Sequence, residues 1–309
     1  MHSFHYEENI IDFFCLNAYI INTDYFPEDT MYSRAYVEIT NICNMHCSFC
    51  HGHSRLPRQM SREEFLRVLD QLSGKTDYVY YHLMGEPLTH PLLPEFLKLS
   101  AQHGFRSVIT TNGTLLKNAS EILLAHPHKI QISIHSHEGN GKQDPEAYMS
   151  EVMAFAKEAA QRGIIVVLRL WNEGGYDSNN ERLLQLAAQH QPHPWTERYD
   201  GWKLATNLYI EFDKMFEWPD EEHPEYEEEE VFCYALRNQI GVLVDGTVVP
   251  CCLDHDGAIP LGNLYQETFE EIINSPRATK LLDGFTHHCA AEPLCRKCGY
   301  AAVTKRFRK

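Results

Sequence analysis

The chain has 309 residues, of which 43% are hydrophobic, enough for one large domain and a smaller one. Its net charge of -16, from 43 acidic and 27 basic side chains, argues against a nucleic-acid partner because phosphate backbones are repelled. Asp12 and Asn17 interrupt the apolar run of residues 10–21, so we expect neither a signal peptide nor a membrane span, and a cytoplasmic location.

Strand-like and helix-like periods alternate from residue 35 onward. The predicted strands are residues 35–40, 78–83, 107–110, 129–134, 164–170 and 205–212. One predicted helix begins at Ser61, where Glu64 completes a capping box. The others span residues 93–103, 120–125, 144–162 and 180–189. Such alternation predicts a parallel α/β sheet, and a partial barrel and a flat doubly wound sheet both satisfy it.

The composition changes after the sixth strand. Residues 219–230 are rich in Glu, Asp and Pro, which predicts a solvated linker. Beyond it, Asp245-Gly246 between two apolar runs predicts a β-hairpin with a type I′ turn. We therefore expect an N-terminal extension (1–34), a core domain (35–218), the acidic linker, and a small cysteine-rich domain (231–309).

Ten cysteines in a reducing compartment indicate metal ligands rather than disulfides. Three of them, Cys43, Cys47 and Cys50, follow the first strand in one loop. A cube of four irons needs four ligands, so three thiolates leave one iron open to an outside molecule. A zinc ion is the alternative, with its fourth ligand from His46, His51 or His53.

The segment from Glu38 to Cys50 reads EITNICNMHCSFC. Its Cys-x₃-Cys-x₂-Cys triplet, with an aromatic residue before the last cysteine, resembles the signature of radical S-adenosylmethionine (SAM) enzymes. The resemblance covers residues 35–212 and implies a partial (β/α)6 TIM-like barrel. It also implies a 4Fe–4S cluster whose open iron binds SAM, reductive cleavage of SAM to a 5′-deoxyadenosyl radical, and hydrogen abstraction from a substrate. A ferredoxin or flavodoxin would supply the electron.

The resemblance extends to residues at the ends of the later strands. Met84-Gly85-Glu86-Pro87 matches the family's Gly-Gly-Glu-Pro motif, which lies against the cofactor's amino group, except at Met84. The resemblance further implies that the cofactor contacts Phe49, Asn112, Ser133 and Arg169. Outside that context, the Met84–Pro87 and Asn112-Gly113 segments are typical of turns, Arg169 of a structural ion pair, and Phe49 of a core side chain. No catalytic acid or base is assigned, although His135, Asp254 and His255 are candidate proton carriers.

A second cysteine set follows the linker and resembles the SPASM or twitch extension of the same superfamily, which carries auxiliary iron–sulfur clusters. A full SPASM domain has seven or more cysteines, whereas this set has six, with Thr286 where another is expected. We therefore expect one auxiliary cluster, bound by Cys233, Cys251, Cys295 and Cys298. The adjacent Cys251 and Cys252 should point to opposite faces, which leaves Cys252 and Cys289 as substitutes or buried thiols. Structural zinc is the alternative, and the isolated Cys15 is expected in the core.

The substrate is the least specified part of this interpretation. The resemblance favours a peptide substrate, because related enzymes mature ribosomally made peptides. A small-molecule or sugar dehydrogenase or epimerase is the alternative. Residues 1–34 are too few for a leader-peptide-binding domain, so a peptide would need a separate recognition protein. A zinc-binding interaction protein is the alternative of another class. A hydrolytic metalloenzyme is disfavoured because the sequence has no His-Glu-x-x-His helix.

Overall fold

A computed structural model of the chain describes residues 32–140, 144–222 and 229–304. The expectations for Cys15, for most of the N-terminal extension and for the middle of the acidic linker fall outside these residues. None of the helices within the described ranges is long and apolar enough to cross a membrane.

Strands and helices alternate through the first two thirds of the described chain. The strands are β1 Arg34–Val37, β2 Tyr78–Tyr80, β3 Arg106–Thr111, β4 Lys129–Ser133, β5 Ile165–Glu173, β6 Thr196–Arg198, β7 Gly201–Ala205, β8 Leu208–Lys214, β9 Gln239–Val242, β10 Thr247–Val249 and β11 Gly262–Asn263. The helices are α1 Arg62–Leu72, α2 Leu93–Gln102, α3 Ser120–Ala125, α4 Ser136–Asn140, α5 Pro145–Gln161, α6 Asn180–His190, α7 Phe269–Ile273, α8 Pro276–Thr286, α9 Pro293–Arg296 and α10 Gly299–Thr304. Two 3₁₀ turns lie at Pro87–Thr89 and Leu116–Asn118.

Six parallel strands form the centre of one sheet, in the order β1-β2-β3-β4-β5-β8. They correspond to the six strands that the sequence predicts. The antiparallel strands β6 and β7, which the sequence analysis did not predict, extend the sheet beyond β8. Because all six central strands are parallel, their carboxyl ends meet at one edge, where the predicted site residues lie.

Local signals explain where the helices begin. Ser61 caps α1 and forms the predicted capping box with Glu64, and the helix buries Phe65, Val68, Leu69 and Leu72. Asp144 caps α5, whose buried face includes Tyr148, Val152 and Phe155. The short helix α4, directly after β4, was not predicted.

The C-terminal hairpin of β9 and β10 joins the same sheet, because β9 pairs in parallel with β1 from Arg34↔Gln239 to Val37↔Val242. The predicted type I′ turn is wrong. Only Gly246 has a positive φ, +85°, and its N–H bonds to the carbonyl of Leu243 at 2.8 Å. These features match a type I turn followed by a glycine bulge, since a type I′ turn needs two positive φ angles.

The two faces of β1 differ in their surroundings. Ala35, Val37 and Ile39 belong to the main apolar core. Tyr36 lies on the other face, where its ring contacts those of Tyr80 and His82 at 5.1 and 5.4 Å. The inner face of the sheet is therefore lined by aromatic and polar groups, and its strand ends carry the candidate site.

Candidate functional site

The three cysteines that follow β1 lie in one loop without helix or strand, between Thr40 and α1. Its backbone is held by a bond from the Cys50 N–H to the Cys47 carbonyl at 3.0 Å. Burial raises the pKa of Cys43; the nearby carboxylate of Glu86 and the thiol of Cys50 raise it further. The loop thus carries its thiols beyond the carboxyl end of β1, with the Cys50 thiol close enough to Cys43 to affect its pKa.

Zinc and a cubane make different geometric demands on this loop. Among the described residues, no three His, Cys, Asp or Glu side chains converge closely enough to hold one metal ion. A zinc site needs four ligand atoms about 2.0–2.3 Å from one ion, whereas a cubane spreads its thiolates over separate irons. Two of the proposed histidine ligands also have other contacts: His53 bonds to the carbonyl of Asn41 at 2.8 Å, and the His51 ring lies 4.6 Å from that of His255.

The unpredicted helix α4 packs directly on the cysteine loop. The Ser48 N–H bonds to the carbonyl of Gly139 at 3.1 Å. A Cβ atom at Gly139 would lie 2.5 Å from the Phe49 ring and 3.0 Å from the Cβ of Cys47. Phe49 also lies 5.3 Å from the ring of His135, so it joins the cysteine loop to the end of β4.

The Met84–Pro87 motif packs against the beginning of the cysteine loop. Gly85 has φ +77°, and a Cβ there would lie 2.3 Å from the carbonyl oxygen of Thr40. The Glu86 N–H donates to the carbonyl of Ile42 at 2.9 Å. The close approach at Gly85 is therefore made to the protein's own backbone. Met84 beside it is buried.

Glu86 and Asn112 connect the ends of β2 and β3. The buried carboxylate of Glu86 accepts bonds from the N–H groups of Leu88 at 3.0 Å and Asn112 at 2.7 Å. Burial raises the pKa of Glu86 to about 7, and these two bonds oppose the shift. The Asn112 amide donates to the side chain of Asn44 in the cysteine loop at 3.0 Å. Two predicted site residues and the cysteine loop thus form one network.

Ser133 and Arg169 are neighbours in register on β4 and β5. The Arg169 guanidinium carbon lies 3.3 Å from the ring centre of Trp171. Burial lowers the pKa of Arg169 to about 10, although Glu211, Tyr36 and Asp213 favour its charged form. Within the described chain, the buried Nε of Arg169 and Nε1 of Trp171 have no hydrogen-bond partner. These donors fit a ligand with acceptor oxygens, such as a carboxylate.

A second site lies behind the hairpin. One small cavity is lined by Cys233, Cys251, Cys295 and Cys298, together with Asp254 and Phe285. Burial raises the pKa of Cys251 and Cys295 well above the ordinary value, and the neighbouring thiols raise it further. The four thiols therefore face one another in an apolar environment, which fits a cluster.

The other two cysteines of the second set lie elsewhere. Cys252 packs against the cluster of Tyr36, Leu83 and Val249, away from the cavity that Cys251 lines. The two adjacent thiols, which lie in a bend and a turn after β10, thus have different surroundings. Cys289 is exposed and forms a backbone bridge with Glu230.

The three candidate proton carriers have structural contacts. The Nδ1 of His135 bonds to the carbonyl of Arg169 at 2.9 Å. Asp254 accepts bonds from the N–H groups of Ala258 and Ile259 at 2.8 and 2.9 Å, which stabilises a turn. His255 lies beside the ring of His51. His135 is the one placed at the carboxyl end of a central strand.

Sequence reasoning missed Glu38 and Arg55 as site residues. Glu38 is completely buried beside the cysteine loop and pairs with Arg55, which follows Cys50 by five positions. The available signal was a charged residue within an apolar strand that ends at the cysteine loop.

Comparison with known proteins assigns both halves of the chain. The family model described as the Radical SAM superfamily matches residues 37–187, and the SPASM model, an iron–sulfur cluster-binding domain, matches residues 233–299. The antilisterial bacteriocin subtilosin biosynthesis protein AlbA of Bacillus subtilis (strain 168) is 23% identical over 92% of this chain and 70% of its own length. Other curated relatives are matched over smaller shares of their length, down to 20%.

Solved structures show the fold. SuiB from Streptococcus suis, bound to precursor peptide SuiA, has a TM-score of 0.59 and 14% identity, covering 89% of this chain and 73% of that one. BtrN in complex with AdoMet and 2-DOIA has a TM-score of 0.57 and 17% identity, covering 87% and 94%. The central sheet is therefore the partial barrel, not the flat doubly wound sheet.

Proposed function

Because this chain belongs to the radical SAM superfamily and is an enzyme with a C-terminal SPASM domain, we propose that it abstracts a hydrogen atom from a peptide during maturation of a ribosomally made product. The cofactors of these domains are a 4Fe–4S cluster with an open iron, SAM and auxiliary iron–sulfur. When bound, they supply the 5′-deoxyadenosyl radical that removes hydrogen from substrate.

Cys43, Cys47 and Cys50 are the proposed ligands of the first cluster. Three thiolates from one loop leave the fourth iron open, which a closed structural site would not do. The loop lies at the carboxyl end of β1, and the backbones of Gly85 and Glu86 pack against its first residues. Carboxyl strand ends are where barrel enzymes carry their chemistry.

The residues around this loop are the proposed cofactor contacts. The Arg169 guanidinium would bind the carboxylate of SAM, which its stacking on Trp171 and its buried, unpartnered Nε within the described chain support. Phe49 lies between the cysteine loop and β4, where it would flank the adenine. The remaining proposed contacts are Met84, Gly85, Glu86, Asn112 and Ser133, of which Gly85 contributes chiefly by its fit against Thr40.

Cys233, Cys251, Cys295 and Cys298 are the proposed ligands of one auxiliary cluster. Their joint position around a single apolar cavity supports this assignment. Cys252 and Cys289 lie outside that cavity. We assign residues 35–218 to the core domain and 231–309 to the auxiliary domain, although β9 pairs with β1 across this boundary.

The proposal of a peptide substrate is carried by the alignment with AlbA over 92% of this chain. The buried Nε1 of Trp171, which has no hydrogen-bond partner within the described chain, suits a carbonyl oxygen of a peptide. The proposal includes a ferredoxin or flavodoxin as electron donor, a separate peptide-recognition protein, and a cytoplasmic location.

The test uses the anaerobically reconstituted chain with SAM, dithionite and a deuterated peptide encoded beside its gene. We expect deuterium to appear in 5′-deoxyadenosine, because the radical takes its hydrogen from the peptide. An Arg169→Lys variant should transfer less, since lysine loses the bidentate fork. Deuterium-free 5′-deoxyadenosine with every such peptide, together with transfer from a deuterated sugar, would contradict the peptide assignment.

A further inference from the structure

The carboxylate of Glu38 is fully buried and accepts four hydrogen bonds. Its Oε2 accepts from Arg55 Nη1 at 2.7 Å and from the Val244 N–H at 3.0 Å. Its Oε1 accepts from Arg55 Nη2 at 2.5 Å and from the Met84 N–H at 3.3 Å. The exposed fraction of the Glu38 side chain is 0% and that of Arg55 is 14%.

These bonds join segments that are distant in sequence. Glu38 directly follows β1, before the first cysteine loop, Met84 opens the motif after β2, and Val244 lies in the C-terminal hairpin turn. Arg55, which follows the cysteine loop, also donates from Nε to the carbonyl of His255 at 2.9 Å. Next to it, the Ser54 N–H bonds to Asp256 at 2.8 Å.

We propose that the Glu38–Arg55 pair is the link through which the C-terminal chain on both sides of Cys251 and Cys252, at Val244 and at His255, holds the first cysteine loop and the Met84 backbone in place. Among the described residues, the pair has no hydrogen bond to a thiol of either cysteine set, so it acts by positioning backbone. It couples the two cysteine sites, because both ends of the first loop are tied to chain that leads to or from the second. The inference does not depend on which substrate the enzyme uses.

Only a carboxylate satisfies this site. Each oxygen accepts one guanidinium N–H and one backbone N–H, so both must be acceptors. A glutamine would turn its amide nitrogen toward two donors and leave them unsatisfied. A lysine at position 55 would keep the charge but lose the fork and the bond to His255.

Hydrogen exchange measured by mass spectrometry tests the link without requiring activity. In Glu38→Gln we expect peptides covering residues 51–58 and 243–256 to exchange about tenfold faster, the effect of losing roughly one buried hydrogen bond. Helix α5 should exchange as in the wild type. The control is Glu95→Gln, whose partner Arg62 is exposed, as is Glu95 itself (45% and 42%), and which should change neither segment.

Arg55→Lys is the second variant and decides the matter should Glu38→Gln fail to fold. It should loosen residues 51–58 and 254–256, whereas residues 243–246 should stay protected because Val244 keeps its bond to Glu38. In the reconstituted variant, the KM for SAM should rise several-fold with kcat nearly unchanged, which a loss of general stability would not produce. Unchanged exchange in both segments, or faster exchange throughout α5, would overturn the proposal.

Discussion

The Asn112 backbone N–H donates a 2.7 Å hydrogen bond to Oε2 of Glu86, which ties the end of β3 to the end of β2. The other oxygen of Glu86 accepts from the Leu88 N–H. Because the Asn112 side chain in turn reaches Asn44, one buried carboxylate organises two strand ends and the cysteine loop. The same carboxylate belongs to the proposed cofactor site, so its structural and functional roles can be separated only by measurement.

Glu86→Gln should lower the free energy of unfolding by about 1–3 kcal/mol, because one backbone N–H would face an amide nitrogen. Urea denaturation monitored by circular dichroism measures this change. The exposed Glu95→Gln should stay within about 0.5 kcal/mol of the wild type. Equal stabilities of the two variants would show that the Glu86 network contributes nothing.

Gly85→Ala and Gly74→Ala form a matched pair. Both glycines have positive φ, +77° and +71°, so both variants carry a similar backbone strain of about 1 kcal/mol. Only Gly85 has a backbone atom, Thr40 O, 2.3 Å from the new Cβ, whereas nothing lies within 4 Å at Gly74. We expect Gly85→Ala to be the less stable variant in the same denaturation assay and to lose iron from the first cluster. Matching stability and iron content would contradict the close approach.

Cys251→Ala and Cys252→Ala distinguish the two adjacent thiols. Since Cys251 lines the cavity of the second set and Cys252 does not, Cys251→Ala should lose about half of the iron, the share of one of two clusters. Cys252→Ala should keep the wild-type content. Metal and sulfide analysis of anaerobic protein measures both variants. If Cys251→Ala loses zinc rather than iron, the second site is a structural zinc site.

His82 should make the fold sensitive to acid. Burial, followed by the charges of Arg169 and Arg34, lowers its pKa to about 3, below the usual value near 6.5. The unfolded chain therefore binds a proton that the folded chain does not, so the stabilisation is present above pH 6.5 and is lost as the pH falls toward 3. Between pH 7 and pH 5 the wild type should lose about 2 kcal/mol more than His82→Asn.

The control for this pH dependence is His287→Asn, because that side chain is 71% exposed. It should follow the wild type at both pH values. Identical losses for the wild type and His82→Asn would show that His82 titrates in the folded chain as it does in the unfolded one.

Local sequence signals predicted much of the fold. The six parallel strands, the capping box of α1 and the buried face of that helix follow from periodicity and from Ser61 and Glu64, which act within one turn. The β6–β7 hairpin was missed because its strands are short and largely exposed, so their side chains show little alternation. Helix α4, of five residues, is too short for a periodic signal.

Non-local contacts were beyond the reach of the sequence. The parallel pairing of β9 with β1, the approach of Gly85 to Thr40 and the bond from the Val244 N–H to Glu38 join residues that are tens to hundreds of positions apart. The Cys43-Cys47-Cys50 triplet was readable because its three cysteines lie within eight consecutive positions of the sequence. Cys251 lines the cavity and Cys252 does not, and both lie after β10 in a bend and a turn, so strand alternation alone does not explain the difference.

The most direct test of the account is the dithionite-dependent formation of 5′-deoxyadenosine from SAM by the anaerobically reconstituted chain. The wild type should form it and Cys47→Ala should not, because two remaining thiolates cannot hold the cluster with its open iron. Equal formation by the two proteins would contradict the assignment of Cys43, Cys47 and Cys50 as the ligands.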